Sequence, residues 1–417
     1  MNILERRGAA VGTRLALAGL VALGAAGTAR AQAPPPEPYV VGNGRLTVGG
    51  ELSVTSSCAD SNIPDAAACT DDPGFFNYTD YKHSALRMVR IGATAALRAT
   101  RHLSVLGEIR SENAGSPQPY ALYLRFRPWV GRNLDIQVGR VPPTFGAFAR
   151  RTYASDNFLI GYPLAYQYLT SLRPDALPAS ADELLRMRGR GWLSSFSIGD
   201  TNPRHGMPIA SAFRWDTGVQ AHGAAGILEG AVSVTMGTLA NPLVKDDNRG
   251  KQYSGRLAVH PVTGLVGGVS AARGPFVTRG AAEAAGVANQ GAALTQTAWG
   301  ADAEYSRSYY VVRIETIASE WKLPIGPLRA VATSIEGRYK VHPRLHVAAR
   351  YDHLGFSTVT GQSRTATWDA PVDRLEIGGG YALRRNLQLK GSFQRNTRDG
   401  GRATIVNVGA LQLAYWF

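Results

Sequence analysis

Apolar and polar residues alternate with a period of two along most of the chain beyond residue 45. At the C-terminus Leu411, Leu413, Tyr415 and Phe417 share one face, while Ala410, Gln412, Ala414 and Trp416 share the other. Upstream, Leu387, Leu389, Gly391 and Phe393 oppose Gln388, Lys390, Ser392 and Gln394. Leu345, Val347, Ala349 and Tyr351 oppose His346, Ala348, Arg350 and Asp352, and near the start Leu46, Val48, Leu52 and Val54 oppose Thr47, Glu51 and Ser53. This alternation predicts β-strands with one apolar face. Seven short connections carry turn chemistry, around Arg101, 131–133, 223–226, 261–264, 306–308, 342–344 and 384–386. Eight longer ones lie between them, near 57–80, 113–119, 142–212, 239–250, 274–294, 322–326, 355–370 and 397–402. Together they join sixteen strands and put both chain ends on the side of the short turns. Weak alternation over 206–222 and 265–273 leaves fourteen or eighteen strands open.

In a soluble sandwich the apolar faces would pack on each other; in a membrane barrel they face lipid and the polar faces line a lumen. Phe417 at the very end, with Tyr415 and Leu413 at alternate positions before it, resembles the terminal aromatic signature of bacterial outer-membrane barrels, where the last strand is the assembly signal. Tyr339, Tyr351, Tyr381 and Tyr415 sit where interfacial girdles would lie. An even strand number with alternating short and long connections is what a single-chain barrel of this kind requires. The expectation is therefore an all-β, transmembrane, antiparallel up-and-down barrel over 45–417, with a long third extracellular loop.

The start of that loop, Val138-Gly139-Arg140-Val141-Pro142-Pro143-Thr144-Phe145-Gly146, resembles that of porins related to the phosphate-selective family. Across 45–417 the pattern is similar to Gram-negative outer-membrane porins. That resemblance implies passive diffusion of small hydrophilic solutes, a third loop that folds into the lumen, homotrimers and insertion by the barrel-assembly machinery. It also implies contact with outer-membrane lipid and lipopolysaccharide, and no cofactor or metal. A non-conducting structural or adhesion barrel and a carbohydrate-selective porin are the alternatives.

Composition agrees with this reading. Charged residues make up 18% of the chain, below the roughly 25% usual in soluble domains. No run of about 18 apolar residues exists, which excludes a helical membrane protein. Two cysteines cannot build a zinc module or a disulfide-rich scaffold. Arg6, Arg7 and Arg14 precede the apolar stretch Leu15 to Gly27, and Ala29-Arg30-Ala31 and Ala31-Gln32-Ala33 both offer cleavage sites. Residues 1–33 read as a secretory signal peptide, followed by a Pro-rich linker over 34–44. Removing four Arg and one Glu with the signal lowers the net charge from +14 to +11. Export also predicts a Cys58–Cys69 disulfide, which would constrain its loop by roughly 3 kcal/mol.

The net positive charge would suit nucleic acid, yet its placement points inward instead. The inferred lumen wall carries Arg90, Arg110, Arg125, Arg127, Arg214, Arg313, Arg338, Arg350 and Arg374, with Glu315, Asp352 and Glu376 among the acids. Pairs two apart on one face, such as Glu108 and Arg110, Arg313 and Glu315, Glu336 and Arg338, Arg350 and Asp352, or Arg374 and Glu376, predict wall ion pairs. Arg125 and Arg127 read as unpaired and open to solute. The 142–212 connection adds Arg150, Arg151, Arg173, Arg186, Arg188, Arg190 and Arg204, interleaved with Tyr153, Phe158, Tyr162, Tyr166 and Tyr168. Ala179 to Met187 reads as a short helix capped by Ser180, with Glu183 three residues on. Arginine's planar donor fork suits carboxylate and phosphate, so an arginine-rich constriction predicts a weak anion preference; the aromatic residues offer a sugar slide as the alternative. An enzymatic reading lacks its residues: His102, His222, His260 and His342 fall at short turns, His83 and His205 in loops, and Asp352 points away from His353.

Overall fold

The first element of the barrel wall is a sixteen-residue strand, Leu46–Ser61, and the last, Ile405–Trp416, closes the ring by pairing with it. The computed structural model describes residues 37–417, except 63–68, 70–75, 81–82, 85, 87–88, 114, 213–214, 249, 288–292 and 402. The segment read as a signal peptide, residues 34–36 of the linker, and Arg214 lie outside the described residues.

In chain order the wall strands are β1 (Leu46–Ser61), β2 (Val89–Arg98), β3 (Leu103–Glu112), β4 (Gln118–Phe126), β5 (Asn133–Val141), β6 (Asp216–Ala225), β7 (Leu228–Thr235) and β8 (Gln252–Val262). They continue as β9 (Leu265–Pro275), β10 (Thr295–Arg307), β11 (Tyr310–Leu323), β12 (Gly326–His342), β13 (Leu345–Phe356), β14 (Val372–Arg384), β15 (Leu387–Arg398) and β16 (Ile405–Trp416). Every neighbour pairs antiparallel in chain order, and β16 meets β1 with Trp416 opposite Glu51 and Val406 opposite Ser61. The barrel is closed with sixteen strands, so the fourteen- and eighteen-strand alternatives fall away.

The linker read over 34–44 is partly structured. Tyr39–Val41 pairs with Leu46–Val48 through a turn in which Gly42, Asn43 and Gly44 all have positive φ (63°, 54° and 82°). Glycine tolerates that region without steric cost.

Period two places large apolar side chains on the outer face, where Ile91, Leu124, Val232, Leu257, Val269, Ile335, Ile377 and Leu411 are exposed. In water that surface would be unfavourable; against lipid it is the membrane belt. Trp129, Tyr309, Tyr310, Tyr339 and Tyr381 are exposed near the short-turn ends. Phe417 extends the ladder: its N–H donates to Gly50 O and its carbonyl accepts from Gly50 N, both at 3.0 Å. Its ring lies so close to Gly50 that a Cβ there would sit 2.7 Å from a ring carbon. Tyr415 stacks on the same ring at 6.0 Å.

The inner face changes character along the barrel axis. Toward the short turns it is charged. Toward the long loops it is apolar, and the 142–215 connection packs into it. Phe145, Phe148, Tyr162, Leu164, Tyr166, Leu172 and Ile209 from that connection bury against Ile317, Trp321, Leu328, Leu354, Val372, Val406 and Val408 of the wall. Trp368, from the link between β13 and β14, joins this core against Trp321 (5.8 Å) and Phe356 (4.7 Å). Each such side chain contributes roughly 1.5–3 kcal/mol on burial, more than a typical exposed ion pair. Apolar packing is therefore one anchor of the connection. Short helices α1 (Leu164–Gln167) and α2 (Ala181–Arg186) lie within it; α3 (Arg279–Ala284) lies between β9 and β10.

Cys58 and Cys69 are joined by a disulfide, with Cα atoms 4.6 Å apart.

Candidate pore lining

A ladder of charges crosses five adjacent strands on the inner wall. Arg151 of the long connection meets Glu304 on β10 at 2.8 Å. Glu304 meets Arg313 on β11 at 2.9 Å, and Arg313 meets Glu336 on β12 at 3.4 Å. Glu336 then meets Arg350 on β13 at 3.3 Å, and Arg350 meets Glu376 on β14 at 2.5 Å. Arg350, whose side chain is fully enclosed, also holds Asp352 at 3.0 Å. On neighbouring walls Arg256 pairs with Asp302 at 2.5 Å, Arg90 with Glu112 at 2.9 Å, and Arg110 with Glu108.

These pairs differ from the spacing expectation in several places. Glu315 does not bind Arg313; it accepts from the amides of Ala147 (2.7 Å) and Phe148 (3.5 Å) at the start of the connection. Arg374 does not pair with Glu376; it donates to Asn396 (2.7 Å), Tyr162 O (3.0 Å) and Phe76 O (2.5 Å). Arg338 leaves Glu336 to Arg313 and Arg350, and lies over the Phe158 ring at 4.4 Å. Arg127 is paired after all, with Asp135 at 3.0 Å. Arg125 has no ion-pair partner among the described residues.

The wall also fixes the path of the connection. Glu51 accepts from the amides of Ala154 (3.0 Å) and Ser155 (3.2 Å). Glu376 accepts from Gly161 N at 3.1 Å. Lys390 donates to Ala154 O and to Asn157 O (2.8 Å), and Arg90 donates to Thr152 O at 2.6 Å. Donors and acceptors from β1, β2, β11, β14 and β15 thus hold residues 147–161 across the lumen.

Of the arginines placed in that connection by sequence, Arg151 lines a cavity shared with the charge ladder. Arg150 ends a single 3-10 turn, and its side chain lies outside the described residues. Arg173 is fully enclosed and holds the connection to itself through Asp175 (2.9 Å), Ser194 O (3.0 Å) and Asn202 O (2.6 Å). Arg188 ties it to Thr367 O (3.1 Å) and Asp399 (2.9 Å). Arg204 pairs with Asp200 at 2.6 Å, while Arg186 and Arg190 are exposed. The six described side chains do not gather at one constriction: Arg173, Arg188 and Arg204 bind within the connection or to other loops, and Arg186 and Arg190 are exposed. Tyr162, Tyr166 and Tyr168 are buried in its core, so their faces are not open as a sugar slide.

Two carboxylates clip the connection to other loops. Asp369 accepts from Ser171 N (2.7 Å) and Gly189 N (2.8 Å), and burial pushes its carboxyl up from the ordinary value. Asp182 accepts from Ser363 Oγ, Gln362 N (2.7 Å) and Ser363 N (3.0 Å), and these bonds hold it down at about 2.

Cavities lie along the charged wall. One of about 290 Å³ is lined by Arg151, Arg256, Arg313, Asp302, Glu304 and Glu336, among others. The second, about 150 Å³, is bordered by Glu51, Arg90, Glu108, Arg110, Tyr153 and Phe417.

On the outer face the structure adds a contact that neighbouring sequence positions concealed. His353 Nδ1 lies 2.8 Å from Asp373 Oδ1, and the Tyr351 hydroxyl donates to the same oxygen at 2.6 Å. Their signal was the cross-strand register, His353 opposite Asp373. No hydroxyl or thiol nucleophile bonds to His353 among the described residues.

No protein-family model matches the chain, and no curated protein matches it. Solved structures do. OmpT of Vibrio cholerae superposes with a TM-score of 0.53 at 12% identity, over 91% of this chain and 100% of that one. An anion-selective porin from Comamonas acidovorans gives 0.53 at 10% identity, over 89% and 99%. OmpF of Salmonella typhi, in complex with daunomycin, gives 0.52 at 11% identity, over 89% and 97%. The chain has the sixteen-stranded closed barrel of the Gram-negative outer-membrane porins, a channel fold.

Proposed function

We propose that the protein is an outer-membrane porin that lets small hydrophilic solutes diffuse passively, with a weak preference for anions. One observation carries the preference: Arg125, Arg338 and Lys340 face inward on the charged half of the lumen with no carboxylate partner among the described residues. Arg127, Arg151, Arg256 and Arg313 are matched by Glu or Asp within ion-pair distance, and the Lys390 ammonium is taken up by Ala154 O and Asn157 O. Unmatched guanidinium and ammonium groups lower the cost of an anion in the conduit and raise that of a cation. The anion selectivity of the Comamonas acidovorans porin, on the same fold, supports the reading. Homotrimeric assembly belongs to the proposal, since Vibrio cholerae OmpT is described in a trimer form, as do export on a cleaved signal peptide and insertion among lipopolysaccharide.

The test is the reversal potential of purified protein in a planar bilayer under a KCl gradient. The sign expected is that of chloride, moving toward zero in the Arg125→Gln, Arg338→Gln, Lys340→Gln triple variant; clear cation selectivity of the parent would overturn the preference. A second reading, a barrel that does not conduct, draws on the apolar core between the long connection and the wall. Absence of any single-channel current from correctly folded protein would favour it.

A further inference from the structure

At the short-turn end, the seam between β1 and β16 is finished by a segment outside the sixteen wall strands. One edge of β1 pairs with β2, from Leu46 opposite Leu97 to Val54 opposite Val89. The other edge pairs with β16 from Glu51 opposite Trp416 to Ser61 opposite Val406. Phe417 carries that pairing one residue further, to Gly50. β16 therefore leaves the first residues of β1 without a neighbour on this edge. Residues 39–41 supply one: Tyr39, Val40 and Val41 stand opposite Val48, Thr47 and Leu46. Two side chains tie the segment to the other end of the chain. The Tyr39 ring meets the Phe417 ring edge-on at 5.8 Å. Glu37 accepts from Arg385 Nη1, in the turn between β14 and β15, at 2.8 Å. The attachment is light. Tyr39, Val40 and Val41 are 55%, 62% and 57% exposed, and the Glu37–Arg385 pair is an exposed one, of a kind that contributes little. Three residues of backbone pairing and one ring contact carry the rest, and an element held this way opens without unfolding the wall.

We propose that residues 37–41 are a detachable clasp: closed, they complete the seam; open, they uncover on Leu46–Val48 an edge that binds an extended peptide strand. A bare strand edge presents unpaired N–H and C=O groups, which are a template for another strand, and peptide recognition by strand addition uses such an edge. The occupant this edge selects is the sequence it already holds, Tyr39-Val40-Val41, whether from the same chain or supplied in trans. Its register is fixed by the three facing pairs, and its first ring is recognised by Phe417. The turn at Gly42, Asn43 and Gly44, all at positive φ, returns the segment directly onto β1. So short a connection gives the chain's own clasp an effective concentration on the order of millimolar. The clasp therefore shields the edge against strands of other chains while it completes the ring.

The clasp is tested by binding, which does not depend on whether the pore conducts. Full-length protein and a variant lacking residues 37–41 are folded in liposomes and titrated with a fluorescent peptide of residues 37–44. Saturable one-to-one binding to the deletion variant is expected, with binding to the parent weaker by roughly tenfold or more because the clasp competes. A scrambled peptide of the same composition binds neither. Heat-modifiable migration on gels verifies that each protein is folded. A milder variant, Glu37→Gln with Tyr39→Ala, serves should the deletion not fold: it removes both side-chain anchors, keeps the wall intact, and binds the peptide more tightly than the parent does. Binding by the folded variants no tighter than by the parent, or equal binding of the scrambled peptide, would overturn the edge site; residues 37–41 would then be a fixed part of the wall.

Discussion

Arg350 and Arg125 carry the same side chain on the same inner wall and do different work. Arg350 is enclosed among Glu336, Asp352 and Glu376. Arg350→Met would leave those carboxylates without their shared cation, and breaking a buried ionic group this way costs roughly 3–5 kcal/mol. The expected readout is a lower urea midpoint for unfolding from liposomes. Arg125→Gln, which breaks no ion pair, leaves the midpoint unchanged and reduces the chloride preference. An unchanged midpoint for Arg350→Met would show that the ladder contributes little to stability. Sequence spacing distinguished these two residues poorly. It paired acids and bases two apart, about 7 Å along a strand, whereas side chains directly opposite on adjacent strands lie about 4.5–5.5 Å apart. The closer neighbours won for Arg313, which takes Glu304 opposite it, and for Arg350, opposite both Glu336 and Glu376. Asp352 remained with Arg350 because it lies at the same inward site. Register, which alternation alone does not give, decides the partners.

At the level of elements, the connection between β5 and β6 was legible in its length and its helix signal, not in its burial. Ser180 caps α2 by accepting from Glu183 N at 3.2 Å, and Glu183 reaches back to Ala179 N at 2.7 Å, one residue before the position a capping box names. Its arginines and tyrosines looked like pore chemistry because their composition matched it, but their facing depends on contacts from β11, β12, β14 and β16 hundreds of residues away. The clip at Asp182 makes a pH prediction. Its carboxyl is depressed from 3.8 to about 2 by bonds from Ser363 and Gln362. A depressed carboxyl contributes stability that is complete above its unfolded value and lost as pH falls through the folded one. The clip should therefore hold at pH 4 and above, and loosen as pH drops toward 2. Amide exchange at Gln362 and Ser363, corrected for the intrinsic pH dependence, should accelerate over that interval. The Asp182→Ala variant should show the faster exchange already at neutral pH. Protection that stays flat through the interval in the parent, or equal protection in the variant, would remove Asp182 as the fastener between these loops.

For the whole molecule, alternation together with seven short and eight longer connections pointed to sixteen strands and left fourteen or eighteen open, and the closing pairing of β16 with β1 decides the count. Part of the net positive charge lies on the inward wall and in the connection between β5 and β6. What local chemistry could not reveal is that the long-loop half of the interior is a hydrophobic core. If that core is the principal barrier, removing its central piece should open the barrel without disturbing the wall. The structure offers a cut: Ala210 N donates to Ala165 O at 3.0 Å, so the two chain positions already touch. Deleting 166–209 and joining the ends through a short Gly–Ser link leaves residues 147–163, with Arg151, bonded to Glu51, Glu304, Glu315 and Glu376. Single-channel conductance should then rise several-fold while the sign of the reversal potential persists, since the unmatched Arg125, Arg338 and Lys340 lie in the retained wall. A folded deletion variant with unchanged conductance would place the barrier at the charged half instead. One that conducts with inverted selectivity would show that the deleted segment, and not the wall, sets the preference.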